Sequence, residues 1–278
     1  MKRAVSIVTL VDILFILALS LFASFGEPVS LVLRLLFVLI VCFVTYKISL
    51  SMREERERIA GVREERIYLW QIQGGGLPTF LFSVMPTVAL IFLVSFLTSL
   101  VLSAFGATAP TVTERPLFEM LLVNCLIPAI VEEAVFRYVP MKLLAPYSTR
   151  WCIILSALFF GLSHLSLYQL PYAFIAGLIF ISLNLLTNSI IPSLLLHFIN
   201  NAISVLWIKY SQDTAFSLVF LIILVFGAVV SLALLVPRLV REWGRIRQLF
   251  TEGEPIVSWF APLAFIAFTL VLSLSNLF

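Results

Sequence analysis

The chain has 278 residues, of which 62% are hydrophobic and 12% charged, and its formal net charge is +3. Soluble domains carry about 25% charged residues, so this composition, with a mean hydropathy of +1.11, excludes an ordinary soluble domain and describes an integral membrane protein. Lys and Arg fall in short inter-span segments rather than on one continuous face, which argues against a nucleic-acid partner and makes charge a guide to topology.

A helix needs about 20 apolar residues to cross the hydrocarbon layer, and on that rule the predicted spans are 4–25, 29–50, 79–104, 117–139, 150–169, 171–188, 190–209, 215–236 and 259–278. The first follows Lys2 and Arg3 as a signal peptide would, but its apolar run is too long for one and a second span follows at once, so an uncleaved anchor is expected. Asp12 and Arg34 are isolated and read as lying near span ends, where snorkelling or a helix-to-helix pair accommodates them. Residues 51–78 read as a cytoplasmic amphipathic loop in which the segment from Arg53 to Arg66 forms an amphipathic helix: Arg-Glu-Glu-Arg occurs at 53–56 and 63–66, with Ile59, Val62, Ile67 and Trp70 as an apolar stripe. Its charges can pair at helical spacing. Gly74 to Gly76, followed by Pro78, reads as a flexible linker, and 106–116, with Pro110, Thr111 and Thr113, as a short external loop. The stretch 150–188 is either two spans around Pro171 or a broken, re-entrant arrangement, which leaves eight or nine spans. Cys42, Cys125 and Cys152 are dispersed in apolar runs and suggest neither a disulfide framework nor a thiolate metal site.

Lys2, Arg3, Arg53, Arg56, Arg58, Arg63, Arg66, Lys142, Arg150, Arg238, Arg241, Arg245 and Arg247 fall on one side of this scheme, against Arg115 and Lys209 on the other. The positive-inside rule makes the first side cytoplasmic. The N-terminus is then inside, and a cell (plasma) membrane is the expected location. The fold class is all-α: one polytopic membrane helix bundle over 1–278, enclosing a conical or buried polar cavity.

That cavity is implied by titratable groups in apolar segments, where an ionised side chain costs about 3 kcal/mol to insert and so faces a partner or water. The fourth span carries Glu132, Glu133 and Arg137. Glu133 and Arg137, four residues apart, share a face and can pair, whereas Glu132 points about 140° from Arg137 and is left to face a cavity. The fifth span carries Phe160 and His164, and the seventh His197 and Asn201, each pair one helical turn apart. Phe160 can pack against or shield His164, or serve packing alone. The Glu pair is expected toward the cytoplasmic end of its helix. His164 lies roughly 21 Å along from Arg150, a depth that tilt or a cytoplasmic helix extension would have to reconcile. Asn124, Asn184 and Asn188 could line the cavity without an assigned role.

These residues resemble the CAAX prenyl protease and bacteriocin-processing family of intramembrane endopeptidases, known as CPBP or ABI. Glu132-Glu133 to Arg137 looks like its EExxxR motif, Phe160 to His164 like FxxxH and His197 to Asn201 like HxxxN, in the family's order on separate apolar spans. The resemblance covers the motif-bearing core, 117–205. It implies a glutamic endopeptidase in which Glu132 activates water together with His164, His197 and Asn201 stabilise the oxyanion, and Glu133, Arg137 and Phe160 support them. It also implies no metal or other cofactor, and a peptide or protein substrate, with or without an attached lipid, met among membrane lipids. Amide hydrolysis needs such a base and such donors.

Other readings remain open at this stage. Two His and two Glu could hold zinc, although no His-Glu-x-x-His sequence occurs. A proton-coupled transporter or channel could use Glu132, His164 and His197 as a relay, but no inverted repeat is visible. A protease-like scaffold could bind a peptide or partner without cutting it. The sequence names neither the substrate nor the oligomeric state.

Overall fold

A computed structural model describes residues 1–60, 76–106, 115–251 and 260–275, and every described element is helical. In lipid an apolar chain must satisfy its own backbone polar groups, and the helix does so within each segment. The order is α1 (Lys2–Ala23), α2 (Glu27–Ala60), α3 (Gly76–Ala104), α4 (Leu117–Met120), α5 (Ile127–Glu133), α6 (Val139–Leu143), α7 (Thr149–Ser163), α8 (Leu170–Thr187), α9 (Ile191–Tyr210), α10 (Thr214–Arg241), α11 (Trp243–Thr251) and α12 (Phe260–Ser275). Two π-helical stretches, Leu121–Leu126 and Ala134–Tyr138, join α4 to α5 and α5 to α6 into one helical path.

Each predicted span has a helical counterpart. Six helices, α1, α2, α3, α8, α9 and α10, are long and apolar enough to cross a membrane. The 117–143 path is divided by its π turns, and α7 and α12 are shorter. At 15 residues, α7 covers roughly 22 Å, less than a bilayer core of about 30 Å. α7 therefore stops at depth, and residues 164–169 connect it to α8.

Residues 51–60 are helical, as expected of the segment from Arg53, and continue α2; Arg53 pairs with Glu57 at 2.8 Å along it. Two expectations are corrected. Gly76 and Pro78 belong to the first turn of α3, where a proline's missing N–H costs nothing; the second Arg-Glu-Glu-Arg, Val62, Ile67, Trp70, Gly74, Pro110, Thr111 and Thr113 lie outside the described residues. Asp12 is not near a span end but buried midway along α1, at 1% exposure.

Close helix approach uses small residues, as expected where lipid removes any hydrophobic drive between helices. A Cβ on Gly177 of α8 would lie 2.8 Å from the Ala157 Cα of α7, and one on Gly161 would lie 3.2 Å from the Leu170 carbonyl oxygen. Helix starts carry their own caps: the Ser148 hydroxyl accepts from the Trp151 N–H at 3.3 Å, and Asp213 accepts from the Ala215 and Phe216 N–H groups. Gly26, at φ +77°, turns α1 into α2.

These contacts define two ends of the bundle. At one, Arg56 of α2 donates to the Tyr147 hydroxyl at 3.2 Å, and Thr149 of α7 donates to the Leu249 carbonyl of α11 at 2.8 Å. At the other, Arg115 bridges Glu27, at the start of α2, and Glu119, in α4, each at 3.0 Å. There Lys209, near the end of α9, also donates to the Arg115 carbonyl at 3.4 Å.

Candidate active site

The end of α5 carries the acidic pair, and the π turn after it carries Arg137. Glu133 and Arg137 are both fully buried and their side chains meet at 3.3 Å, the ion pair expected from the sequence. The Arg137 guanidinium also lies over the rings of Phe160, 4.0 Å away, and Phe180, 5.3 Å away. Aromatic faces attract a cation most where it is desolvated. A hydrogen bond from the Ser156 hydroxyl to the Phe136 carbonyl fastens the π turn to α7.

His197 stands between the two carboxylates. Its Nδ1–H donates to Glu133 Oε1 at 2.8 Å, while Nε2 lies 3.7 Å from Glu132 Oε2. Glu133 therefore does more than pair with Arg137: it also fixes the ring of His197. Glu132 Oε2 is buried with no hydrogen-bond partner, and the Glu132 side chain keeps 20% exposure where Glu133 has none. One carboxylate is locked and the other faces open space.

His164 caps α7 and its Nδ1–H donates to the Phe160 carbonyl at 2.9 Å. That bond leaves Nε2 as the nitrogen with a lone pair. The Phe160 ring packs edge-on against both imidazoles, 5.0 Å from His164 and 5.6 Å from His197. On α9, Asn201 Nδ2 donates to the Asn124 carbonyl at 3.3 Å and its Oδ1 accepts from Asn200 at 3.4 Å.

Glu132, Phe160, His164, His197 and Asn201 all line one cavity of about 850 Å³, together with Asn124, Asn200, Gln169 and Tyr172. Glu133 and Arg137 sit behind this wall. The depth of His164 is reconciled by the shortness of α7, which delivers its last residue to the cavity rather than to a membrane surface. Non-helical backbone at that depth is tolerated because it lines a cavity.

Sequence reasoning missed several contributors. Arg34, two turns into α2, lines this cavity, and its Nε is buried without a partner. Asn184, by contrast, is a brace: it donates to the Ser193 hydroxyl at 2.6 Å and accepts from the Ser193 N–H at 3.1 Å, fixing the start of α9 one turn before His197. Asn188 ends α8 in the left-handed region at φ 51°, a usual C-terminal role for Asn. The Asn-Ser-Ile-Ile-Pro-Ser run at 188–193 was the available turn signal. At the cavity rim, Glu27, by its hydrogen bond first of all, holds the Arg115 guanidinium above its ordinary pKa.

Among the described residues no group of three or more His, Cys, Asp or Glu side chains is arranged to hold a metal ion. The chain's residues 114–203 match the family model of the type II CAAX prenyl endopeptidase Rce1-like proteins. This stretch carries all three motifs and nearly coincides with the expected core, and the match supports the CAAX protease and CPBP family. No curated protein and no solved structure matches the chain.

Proposed function

We propose that this membrane bundle is an intramembrane endopeptidase in which water activated by Glu132, with His164, hydrolyses a peptide bond. The observation that carries the reading is a single cavity lined by Glu132, two imidazoles and an amide. Water placed there gives one proton to Glu132 and hydrogen-bonds through the other to His164 Nε2. The hydroxide formed attacks the peptide carbonyl carbon, and the carbonyl oxygen becomes an oxyanion. Glu132 then returns its proton to the nitrogen as the carbon–nitrogen bond breaks.

His197 and Asn201 are the oxyanion donors in this scheme. Asn201 spends one amide hydrogen on the Asn124 carbonyl and keeps its second. His197, with Nδ1–H held by Glu133, turns Nε2 to the Glu132 side of the cavity, where it is placed to meet the oxyanion. Arg137 offsets the charge of Glu133, so that the pair orients His197 without presenting a second free base. Donors fixed in this way cost no reorganisation during reaction.

The chemistry assigned to these groups requires no metal, and activity is expected to survive thorough chelation. The match to CAAX prenyl endopeptidases supports a peptide or protein substrate, with or without a lipid, and leaves its identity to experiment. The charge asymmetry supports a cytoplasmic N-terminus, and a cell membrane is the location that goes with this proposal. The test is a peptide library presented to the purified protein in liposomes. Cleavage by the parent, lost in Glu132→Ala and His164→Ala variants of unchanged thermal stability, is the expected result; cleavage unaffected by either change overturns the mechanism.

A further inference from the structure

The cavity is not symmetric across the bundle. Its lining includes Glu27 at the start of α2, Ser99 near the end of α3, Arg115 before α4, Gln169 beside the start of α8, and Trp207 and Ile208 near the end of α9. These positions belong to the end of the bundle tied together by the Arg115–Glu27 ion pair and the Lys209 bond to Arg115. Each helix contributes the half that points to this end. Glu132, Phe160, Phe180 and His197 form the deep limit, and no residue of the end marked by Arg56, Tyr147 and Thr149 takes part. The Trp207, Phe92 and Phe220 rings pack together in this half of the bundle, 5.0 to 5.8 Å apart.

Charge identifies the two ends independently. Lys2, Arg3, Arg53, Arg56, Arg58, Lys142, Arg150, Arg238, Arg241, Arg245 and Arg247 lie at the start of α1, the ends of α2, α6 and α10, the start of α7 and along α11. Helix direction puts all of these at the end away from the cavity mouth. Among the described residues, the helix ends and connections at the mouth carry Arg115 and Lys209, with Arg34 farther inside the cavity, and Arg115 is matched by two carboxylates. A bias of this size in short connections retains the cation-rich end in the cytoplasm.

We infer that the site opens to the non-cytoplasmic side of the membrane and is loaded from there, by an extracytoplasmic segment of an exported or membrane-embedded protein. The substrate half of this inference rests on the endopeptidase reading above; the direction of opening does not. A lipid-modified tail made and held in the cytoplasm would meet the closed, cation-rich end. A segment already translocated meets the rim of Glu27, Ser99 and Ile208 and reaches Glu132 without crossing the remaining thickness of the bundle.

Single cysteines test this without any need for cleavage. Ser99→Cys and Ile208→Cys report the mouth, and Glu54→Cys, at an exposed position near the other end of α2, reports the opposite face. Each is treated with a charged, membrane-impermeant maleimide in spheroplasts of a bacterial host, before and after permeabilisation. The parent, whose three cysteines lie in apolar spans, serves as the blank. Labelling of either mouth variant as strongly before as after permeabilisation, with Glu54→Cys labelled only afterwards, is the expected result. Labelling of Glu54→Cys in sealed spheroplasts, or of neither mouth variant before permeabilisation, overturns the inference. Either outcome leaves the Glu132 and His164 variants free to decide the peptidase reading separately.

Discussion

A polar and an apolar hollow of this bundle differ more in chemistry than in room. The first, about 850 Å³, collects Glu132, His164, His197, Asn201 and Arg34. The second, about 630 Å³, lies at the cation-rich end between α3, α8, α10 and α11, lined by residues such as Leu178, Leu235, Trp243 and Phe250 and by no titratable side chain. An apolar hollow in a bilayer is satisfied by lipid chains and calls for nothing else. Carboxylates and imidazoles in the same setting are costly, and here they are held by bonds that aim them inward. The difference teaches that space alone does not make a site in a membrane protein; polar groups kept at a cost do.

The sharpest way to break the contrast is to neutralise the base. Glu132→Gln keeps the shape of the cavity and is expected to lower kcat by about 10²- to 10⁴-fold, with an unfolding midpoint in detergent like that of the parent; retained turnover would remove Glu132 from the chemistry. Arg137→Ala attacks the support instead. It strands Glu133 as an uncompensated buried charge, expected to cost about 3–5 kcal/mol of stability, and a midpoint within experimental error of the parent would deny the ion pair its role. Asn201→Ala removes one oxyanion donor and should lower kcat by about 10²- to 10³-fold with little change in KM, which steady-state kinetics separates.

Smaller effects sharpen the comparison. Arg34 has no partner among the described residues, and an anionic group of a substrate is the natural one. Arg34→Gln should lower kcat/KM for peptides with a free terminal carboxylate by about tenfold relative to their amides, the size of a charge-assisted hydrogen bond, without loss of thermal stability. An equal effect on acid and amide peptides would show that Arg34 meets no carboxylate. In the apolar hollow, Leu178→Met conserves volume and is expected to shift stability by less than about 1.5 kcal/mol and to leave cleavage unchanged; a large loss of activity would make that hollow part of the site.

Much of this was legible in the sequence because lipid makes the rules strict. Apolar length located the helices, and the i,i+4 spacing of Glu133 and Arg137 foretold their pair. Motif order placed Glu132, His164, His197 and Asn201 around one cavity. What stayed hidden was set by geometry that regular helical spacing does not encode. The π turns at 121–126 and 134–138 change the angle per residue, which hid the contact of both glutamates with His197 and that of Asn201 with the Asn124 carbonyl. The place of Arg34 in the cavity wall was hidden because the cavity cuts into α2, a helix outside the motif core. Asn184 was unreadable because its partner, Ser193, lies across a turn whose direction no local pattern gives.

The most direct measurement is a crystal structure of the protein with a peptidyl phosphonate that mimics the tetrahedral intermediate. The expected density puts one phosphonate oxygen within hydrogen-bond distance of His197 Nε2 and Asn201 Nδ2, and another between Glu132 and His164. The inhibitor seated in the apolar hollow, or bound in the polar cavity with its phosphorus turned away from Glu132, would contradict hydrolysis at this site.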